Sequence, residues 1–437
     1  MQTIDLLIEA RWVIPIEPAG VTLENHALAI DDGNIVALLP ITDARQRFTP
    51  KQTRILNKHL LLPGLVNLHT HAAMTLLRGY ADDMALMNWL NQRIWPVETR
   101  HLTHAFVHDG TLLACAEMLR GGITCFNDMY FFPEAAAQAA RTAGMRAALG
   151  IVVIDFPTPY AVDADDSLSK GLAVRDSLRN DPLVSFCMAP HAPYTVSDKS
   201  FERLLTLSQQ LDLPLHIHIH ETAAEIEQSL TQHGVRPLER LHRLGLLGPN
   251  FIGVHAVHLA GGELDLLATH ACSIAHCPTS NMKLASGIAP AAAMAQRGLR
   301  VGLGTDGAAS NNRLDMFQEM RHAALLAKVS SGDATVLDAH TVLRMATLNG
   351  ATALGLDHRI GSIEAGKAAD LCAVDLDNIE LSPCFNPASH LIYAAGREHV
   401  SHVWVEGNLR VESGRVLQIN NSALLNTVVL WQNKFGA

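Results

Sequence analysis

The sequence predicts an α/β chain, a (β/α)8 TIM barrel carrying a small β-sandwich domain built from both chain ends. Three observations predict it. Short apolar strand patterns alternate with helical patterns eight times across the middle of the chain, a stretch of roughly 250 residues, the usual size of a parallel barrel. Both ends read instead as short β runs joined by tight turns. Histidines and acids recur where the central strand patterns stop, and that is where such a barrel carries its chemistry.

Bulk properties narrow the class. The chain has 437 residues, 48% hydrophobic and 17% charged, enough for a large core plus a smaller domain and too apolar for disorder. A net charge of -10 with no basic run argues against nucleic acid or an anionic membrane as partner. No apolar run reaches the ~18 residues of a membrane span. The N-terminus has an early acid, Asp5, and no basic segment, so no signal peptide is expected. Seven cysteines, an odd number without a Cys-x-x-Cys, form neither a disulfide framework nor a cysteine metal cluster. A reducing cytoplasm fits.

In chain order, residues 1–58 read as the first part of the sandwich. Asp31-Asp32-Gly33-Asn34 is a hairpin turn between the runs 27–30 and 35–39. Residues 59–359 read as the barrel, with strands at 64–71, 123–127, 146–154, 183–189, 215–218, 251–255, 273–276 and 300–305. Helical patterns separate them, and 315–328 and 338–354 close the outer ring. Residues 360–437 return to the sandwich through Gly366, with strands at 369–375, 403–405 and 409–411.

The first barrel strand ends in His69-Thr70-His71. Alternation puts Leu65, Asn67, His69 and His71 on one face, so both imidazoles can converge on one ion. Alone, a His-x-His is more often a pair of satisfied histidines. Four further strand ends supply matching groups: His191 after strand four, His216, His218, His220 and Glu221 at strand five, His255 and His258 at strand six, Asp306 at strand eight. Five strands of one barrel ending this way point to a joint site. Three imidazoles and a carboxylate suit a divalent ion such as zinc, iron, manganese or nickel. Bound water is then acidified, and Asp306, Glu221 and His255 are placed to move its protons. Lys170 and Lys199, the lysines between Lys58 and Lys283, both read as helical, so no lysine bridges a second metal.

The stretches 63–71, His218-Ile219-His220-Glu221-Thr222, Val254-His255-Ala256-Val257-His258 and Gly304-Thr305-Asp306-Gly307 resemble the amidohydrolase superfamily, most closely its 5'-methylthioadenosine/S-adenosylhomocysteine deaminase group. The resemblance runs over nearly the whole chain. It implies one divalent metal, zinc first, on His69, His71, His218 and Asp306, with His218 chosen because it lies three residues before Glu221. It implies attack of activated water on C6 of adenine. Asp306 would take the water's proton, His255 would polarise the attacking oxygen, and Glu221 would protonate ring N1 before ammonia leaves. Trp89 and Glu98 match the resembling nucleoside sites, Glu98 accepting both ribose hydroxyls. His191 is expected at the sugar or base, Arg141 and Arg146 at a substrate carboxylate, and Leu86, Met87 and Met129 around a thioether. The small-molecule nucleoside would be the partner of a homo-oligomer. A sister activity on a guanine-like, pterin or triazine ring shares the same metal set; Trp89 and Glu98 lean to the nucleoside. A non-catalytic scaffold would have lost ligands that all stand here. The cytidine-deaminase type is excluded, since no Pro-Cys-x-x-Cys occurs.

Overall fold

In the computed structural model, which describes residues 1–436, the chain enters through a mostly antiparallel sheet. Its first strands are β1 (Gln2–Val13), β2 (Leu23–Asp31), β3 (Asn34–Pro40) and β4 (Phe48–Pro63). The β2–β3 turn has Asp32 and Gly33 at φ 47° and 73°, the left-handed pair that a two-residue hairpin of matching twist demands. Eight parallel strands come next: β5 (Leu65–Thr70), β6 (Ile123–Asp128), β7 (Arg146–Val153), β8 (Val184–Pro190), β9 (Leu215–Ile219), β10 (Phe251–His255), β11 (Ser273–His276) and β12 (Arg300–Leu303). Each lies beside its sequence neighbours, with helices in the crossovers. β13 (Leu371–Asp375), β14 (Val400–Val405), β15 (Asn408–Glu412) and β16 (Arg415–Val416) then rejoin the first sheet, whose order is β3-β2-β1-β4-β13-β14-β15-β16. The two chain ends meet where β13 pairs antiparallel with β4, Leu371 opposite Pro63 and Asp375 opposite His59.

One boundary and the make-up of the last segment differ from the sequence reading. β4 continues in the terminal sheet to Pro63, and Gly64 alone separates it from β5. The last segment is not all β: helices Pro387–Tyr393 and Asn421–Phe435 pack on the barrel's helical ring. Asn420 caps the final helix by accepting the Ala423 N–H. Trp431 buries its ring against Phe106, centroids 5.5 Å apart, and donates its indole N–H to Asp109. Among the described residues no helix is long and apolar enough to cross a membrane.

The barrel closes between β5 and β12 through the side chains of Asn67 and Thr70, the latter donating its hydroxyl to the Asp306 carbonyl at 3.0 Å. Asn67 Nδ2 donates to Thr305 Oγ1 at 2.7 Å, while Asn67 Oδ1 accepts the Thr305 N–H at 2.9 Å. The Asp306 N–H then donates to the His69 carbonyl at 3.0 Å. Gly304 permits this approach, since a Cβ there would stand 2.9 Å from His69 N and Cβ. Asn67→Leu leaves the buried Thr305 N–H unpaired, the Thr305 hydroxyl keeping its bond to the Asp306 carbonyl, and should cost about 1–3 kcal/mol by urea or thermal unfolding. An unchanged unfolding midpoint would show that the seam holds without it.

Candidate metal centre

The ends of β5, β9, β10 and β12 bring donor atoms together in two overlapping groups that share His69: His69, His218 and His255, and His69, His71 and Asp306. His69 Nε2 lies 3.2 Å from His218 Nε2, and both His69 Nε2 and His71 Nε2 lie 3.3 Å from Asp306 Oδ1. Two donors each ~2.0–2.1 Å from a common ion at the tetrahedral angle stand about 3.3 Å apart. The tautomers agree. His71 Nδ1 lies 2.7 Å from the Met129 carbonyl and His218 Nδ1 2.7 Å from the His191 carbonyl. A carbonyl only accepts, so each Nδ1 carries the proton and each Nε2 turns a lone pair to the centre. His69 Nδ1 rests 3.1 Å from His216 Nε2. Burial lowers the His69 pKa to about 4, partly offset by the Asp306 hydrogen bond, and holds His218 well below its ordinary value. Imidazoles kept neutral this way are in the form a cation binds. His255 Nε2 also comes within reach of His69 and His218. His220 is turned away: its Nε2 accepts the Leu238 N–H and its Nδ1 faces the His258 carbonyl.

The backbone is bent to aim these groups. Asp306, His255, Ala256 and His220 have φ of 60°, 69°, 49° and 51°, left-handed conformations that side chains with a Cβ adopt at a cost of order 1–3 kcal/mol each. Their clustering at the ends of β9, β10 and β12 marks a site that the surrounding fold holds in place. Asp306 Oδ2 accepts from the Ser280 and Ser310 hydroxyls at 2.6 and 2.7 Å, and Oδ1 from the Gly307 N–H at 2.7 Å. Burial pushes its carboxyl up, but the His69 hydrogen bond and the neighbouring imidazoles outweigh it, leaving the pKa well below the usual range. Glu221 stands opposite, Oε2 3.7 Å from His255 Nε2, with burial raising its pKa. His255 is held by Asn281 Oδ1, 2.9 Å from its Nδ1.

His71, His218, Glu221, His255 and Asp306 line a cavity of about 240 Å3, whose wall also carries Trp89, Glu98, His191, Leu86 and Met129. Glu98 accepts from the Tyr130 hydroxyl at 2.5 Å, and burial of its carboxyl lifts the pKa to about 7 against that bond. A single π-helical turn, Leu90–Ile94, links the short helices that carry Trp89 and Glu98. The extra residue per turn in such a segment re-aims the helix beyond it. Met87 is exposed and off the cavity wall.

Two expectations fail on position. Arg146 is the first residue of β7, at the opposite end of the barrel from the cavity, buried in an ion pair with Asp370 at 3.1 Å. Arg141 lies on the outer helix Pro133–Ala143, paired with Asp181 at 3.0 Å. Neither lines the cavity. A strand presents its chemistry at its C-terminal end, and Arg146 sits at the other.

The model of the amidohydrolase family matches residues 60–410. The chain belongs to the amidohydrolase family. It is 45% identical, over 100% of its own length and 98% of the relative's, to a protein of Teredinibacter turnerae named 5-methylthioadenosine/S-adenosylhomocysteine deaminase. A protein of that name from Saccharophagus degradans is 44% identical over 99% of this chain and 97% of its own. The crystal structure of an adenosine deaminase from Xanthomonas campestris with bound zinc superposes with a TM-score of 0.98 at 51% identity, covering 99% of both chains.

Sequence reasoning misses the supports of this amidohydrolase centre. Ser280 and Asn281 come just after β11, and the polar run Thr279-Ser280-Asn281 beyond that strand's end is the signal that could have found them. Tyr130 stands just past β6 in the same way. Glu225 accepts the His220 and Glu221 N–H groups at 2.9 and 2.8 Å, so it fixes the Glu221 peptide. Glu319 joins the loops after β11 and β12, accepting the Thr279 N–H at 3.1 Å and an Asn311 amide N–H at 2.8 Å. Burial lifts its pKa from about 4.5 to about 8. A carboxyl raised on folding contributes stability at low pH, and that contribution is lost as pH rises from 4.5 through 8. Glu319→Gln lacks this loss, so the melting-temperature advantage of the wild type should shrink from pH 5 to pH 9; an advantage independent of pH would refute the raised pKa.

Proposed function

We propose that the chain is a metal-dependent deaminase that converts the adenine ring of 5'-methylthioadenosine and S-adenosylhomocysteine to hypoxanthine with release of ammonia. The observation that carries this reading is the chain of donor atoms His218 Nε2, His69 Nε2, Asp306 Oδ1 and His71 Nε2, each 3.2–3.3 Å from the next, beneath a cavity lined by His71, His218, Asp306 and Glu221. The names of the relatives and of the Xanthomonas deaminase support the substrate class.

His69, His71, His218 and Asp306 would hold the ion, zinc as in that neighbour. A divalent cation there lowers the pKa of a bound water and supplies hydroxide at neutral pH. Asp306 accepts the proton of the attacking water. His255, its Nδ1 tied to Asn281, presents Nε2 to the attacking oxygen and fixes its direction. Glu221, kept protonated more readily by burial, donates to ring N1, so the charge that attack at C6 would leave on nitrogen is neutralised as it forms. Glu98 accepts from the ribose hydroxyls, Trp89 packs on the nucleoside and His191 lies beside the sugar. In the same reading the enzyme is a cytoplasmic homo-oligomer; seven unpaired cysteines support the compartment, and the family resemblance carries the assembly.

His69→Ala should abolish metal content and turnover while circular dichroism stays that of a folded barrel; full metal occupancy with normal turnover would overturn the ligand set. Glu221→Gln should keep the metal and lose turnover by on the order of 10²-fold or more, the usual worth of a general acid. Near-normal kcat in ammonia-release assays would remove Glu221 from that role.

A further inference from the structure

The outer half of the cavity has a character that deamination at C6 does not require. Its wall there is Leu86, Leu90, Trp95, Phe156, Pro157 and Pro159. Trp95, from the segment after β5, and Phe156, from the loop after β7, meet across the mouth with ring centroids 6.4 Å apart and planes at 67°. The charged side chains on the wall are all carboxylates: Glu98, Glu221 and Asp306. The two arginines expected to meet a substrate carboxylate are committed elsewhere, Arg146 to Asp370 and Arg141 to Asp181.

The floor sets the orientation of a nucleoside. C6 and N1 of adenine must reach Glu221 and the donor cluster, so the ribose 5' carbon, at the opposite end of the molecule, faces Trp95 and Phe156. A methylthio group placed there gains apolar burial and sulfur–aromatic contact. An amino-acid group on the same sulfur brings an ammonium and a carboxylate to an aromatic rim, where the carboxylate finds no cation and loses water on one side.

We infer that this cavity selects adenine nucleosides whose 5' substituent is an uncharged alkyl thioether and discriminates against one ending in an amino-acid zwitterion, with Trp95 and Phe156 as the specificity-determining residues. The inference rests on the adenosine-type reading above and divides its two thioether substrates.

The test measures ammonia release by the metal-loaded full chain with adenosine, 5'-methylthioadenosine, 5'-butylthioadenosine and S-adenosylhomocysteine. Expected is a kcat/KM for the methylthio compound at least about tenfold above that for S-adenosylhomocysteine, with most of the difference in KM. The butylthio compound, longer but neutral, should stay near the methylthio one, because charge and not length is refused. S-adenosylhomocysteine turned over as well as 5'-methylthioadenosine, or butylthioadenosine turned over as poorly as S-adenosylhomocysteine, would overturn the inference while leaving the deaminase reading intact. If none of the four releases ammonia, the deaminase reading fails and this inference falls with it. Phe156 is exposed in a loop, so Phe156→Arg should fold. It should narrow the methylthio-to-homocysteine ratio by about tenfold by giving the carboxylate a partner. Phe156→Leu should preserve the ratio; equal ratios in the Arg and Leu variants would remove Phe156 from the role.

Discussion

The hydrogen bonds between Asn67 and Thr305 hold the centre together. The other barrel strands exchange backbone bonds with both neighbours, whereas β5 and β12 are joined by this amide side chain, by the Thr70 hydroxyl donating to the Asp306 carbonyl at 3.0 Å, and by the Asp306 N–H on the His69 carbonyl. Because His69 and His71 lie just beyond Asn67, and Asp306 just beyond Thr305, the same contacts that close the cylinder set the distance between imidazoles and carboxylate. Buried amide-to-backbone pairing is rigid, since leaving either partner unmet in a dry interior is costly. Closure and ligand geometry are therefore one constraint.

Around that seam, environment separates the acids by proton affinity. Asp306 sits among imidazoles and hydroxyl donors and is held deprotonated. Glu221 sits a few ångströms away with burial dominating, and keeps its proton more readily. Glu98 lies further out, lifted to about 7 and hydrogen-bonded to Tyr130. Three carboxyls in one cavity thus differ in proton affinity according to what surrounds each.

Much of this is legible in the sequence because strands impose a period of two and barrels put their chemistry at one end. His69, His71, His218, Glu221, His255 and Asp306 all stand at strand ends, and the Asp32-Gly33 hairpin comes from turn chemistry alone. The failures have equally local causes. Arg146 sits at a strand start, and its charge answers Asp370, more than two hundred residues away, a partner that no local pattern reveals. Arg141 differs in no way, as a letter in a helix, from an arginine that binds a ligand. Ser280, Ser310 and Glu225 act through backbone and carboxylate partners whose proximity is created by the barrel itself. The terminal helix has a readable cap in Asn420, yet its apolar face matches Phe106 and Asp109 only once the chain has closed.

The junction at Gly64 has a further consequence. A Cβ there would collide with Thr124 Oγ1 at 2.1 Å, so the passage from β4 into β5 is locked against β6 with no flexible tether. The terminal sheet and the cylinder are thus mechanically continuous: a strand that belongs to the first ends one residue before the strand that delivers His69 and His71. β1 pairs along β4 on one side and β13 on the other, so the strand that leads into β5 is braced by both chain ends. Residues 2–13, far in sequence from His69 and His71, thus brace the strand that runs into theirs.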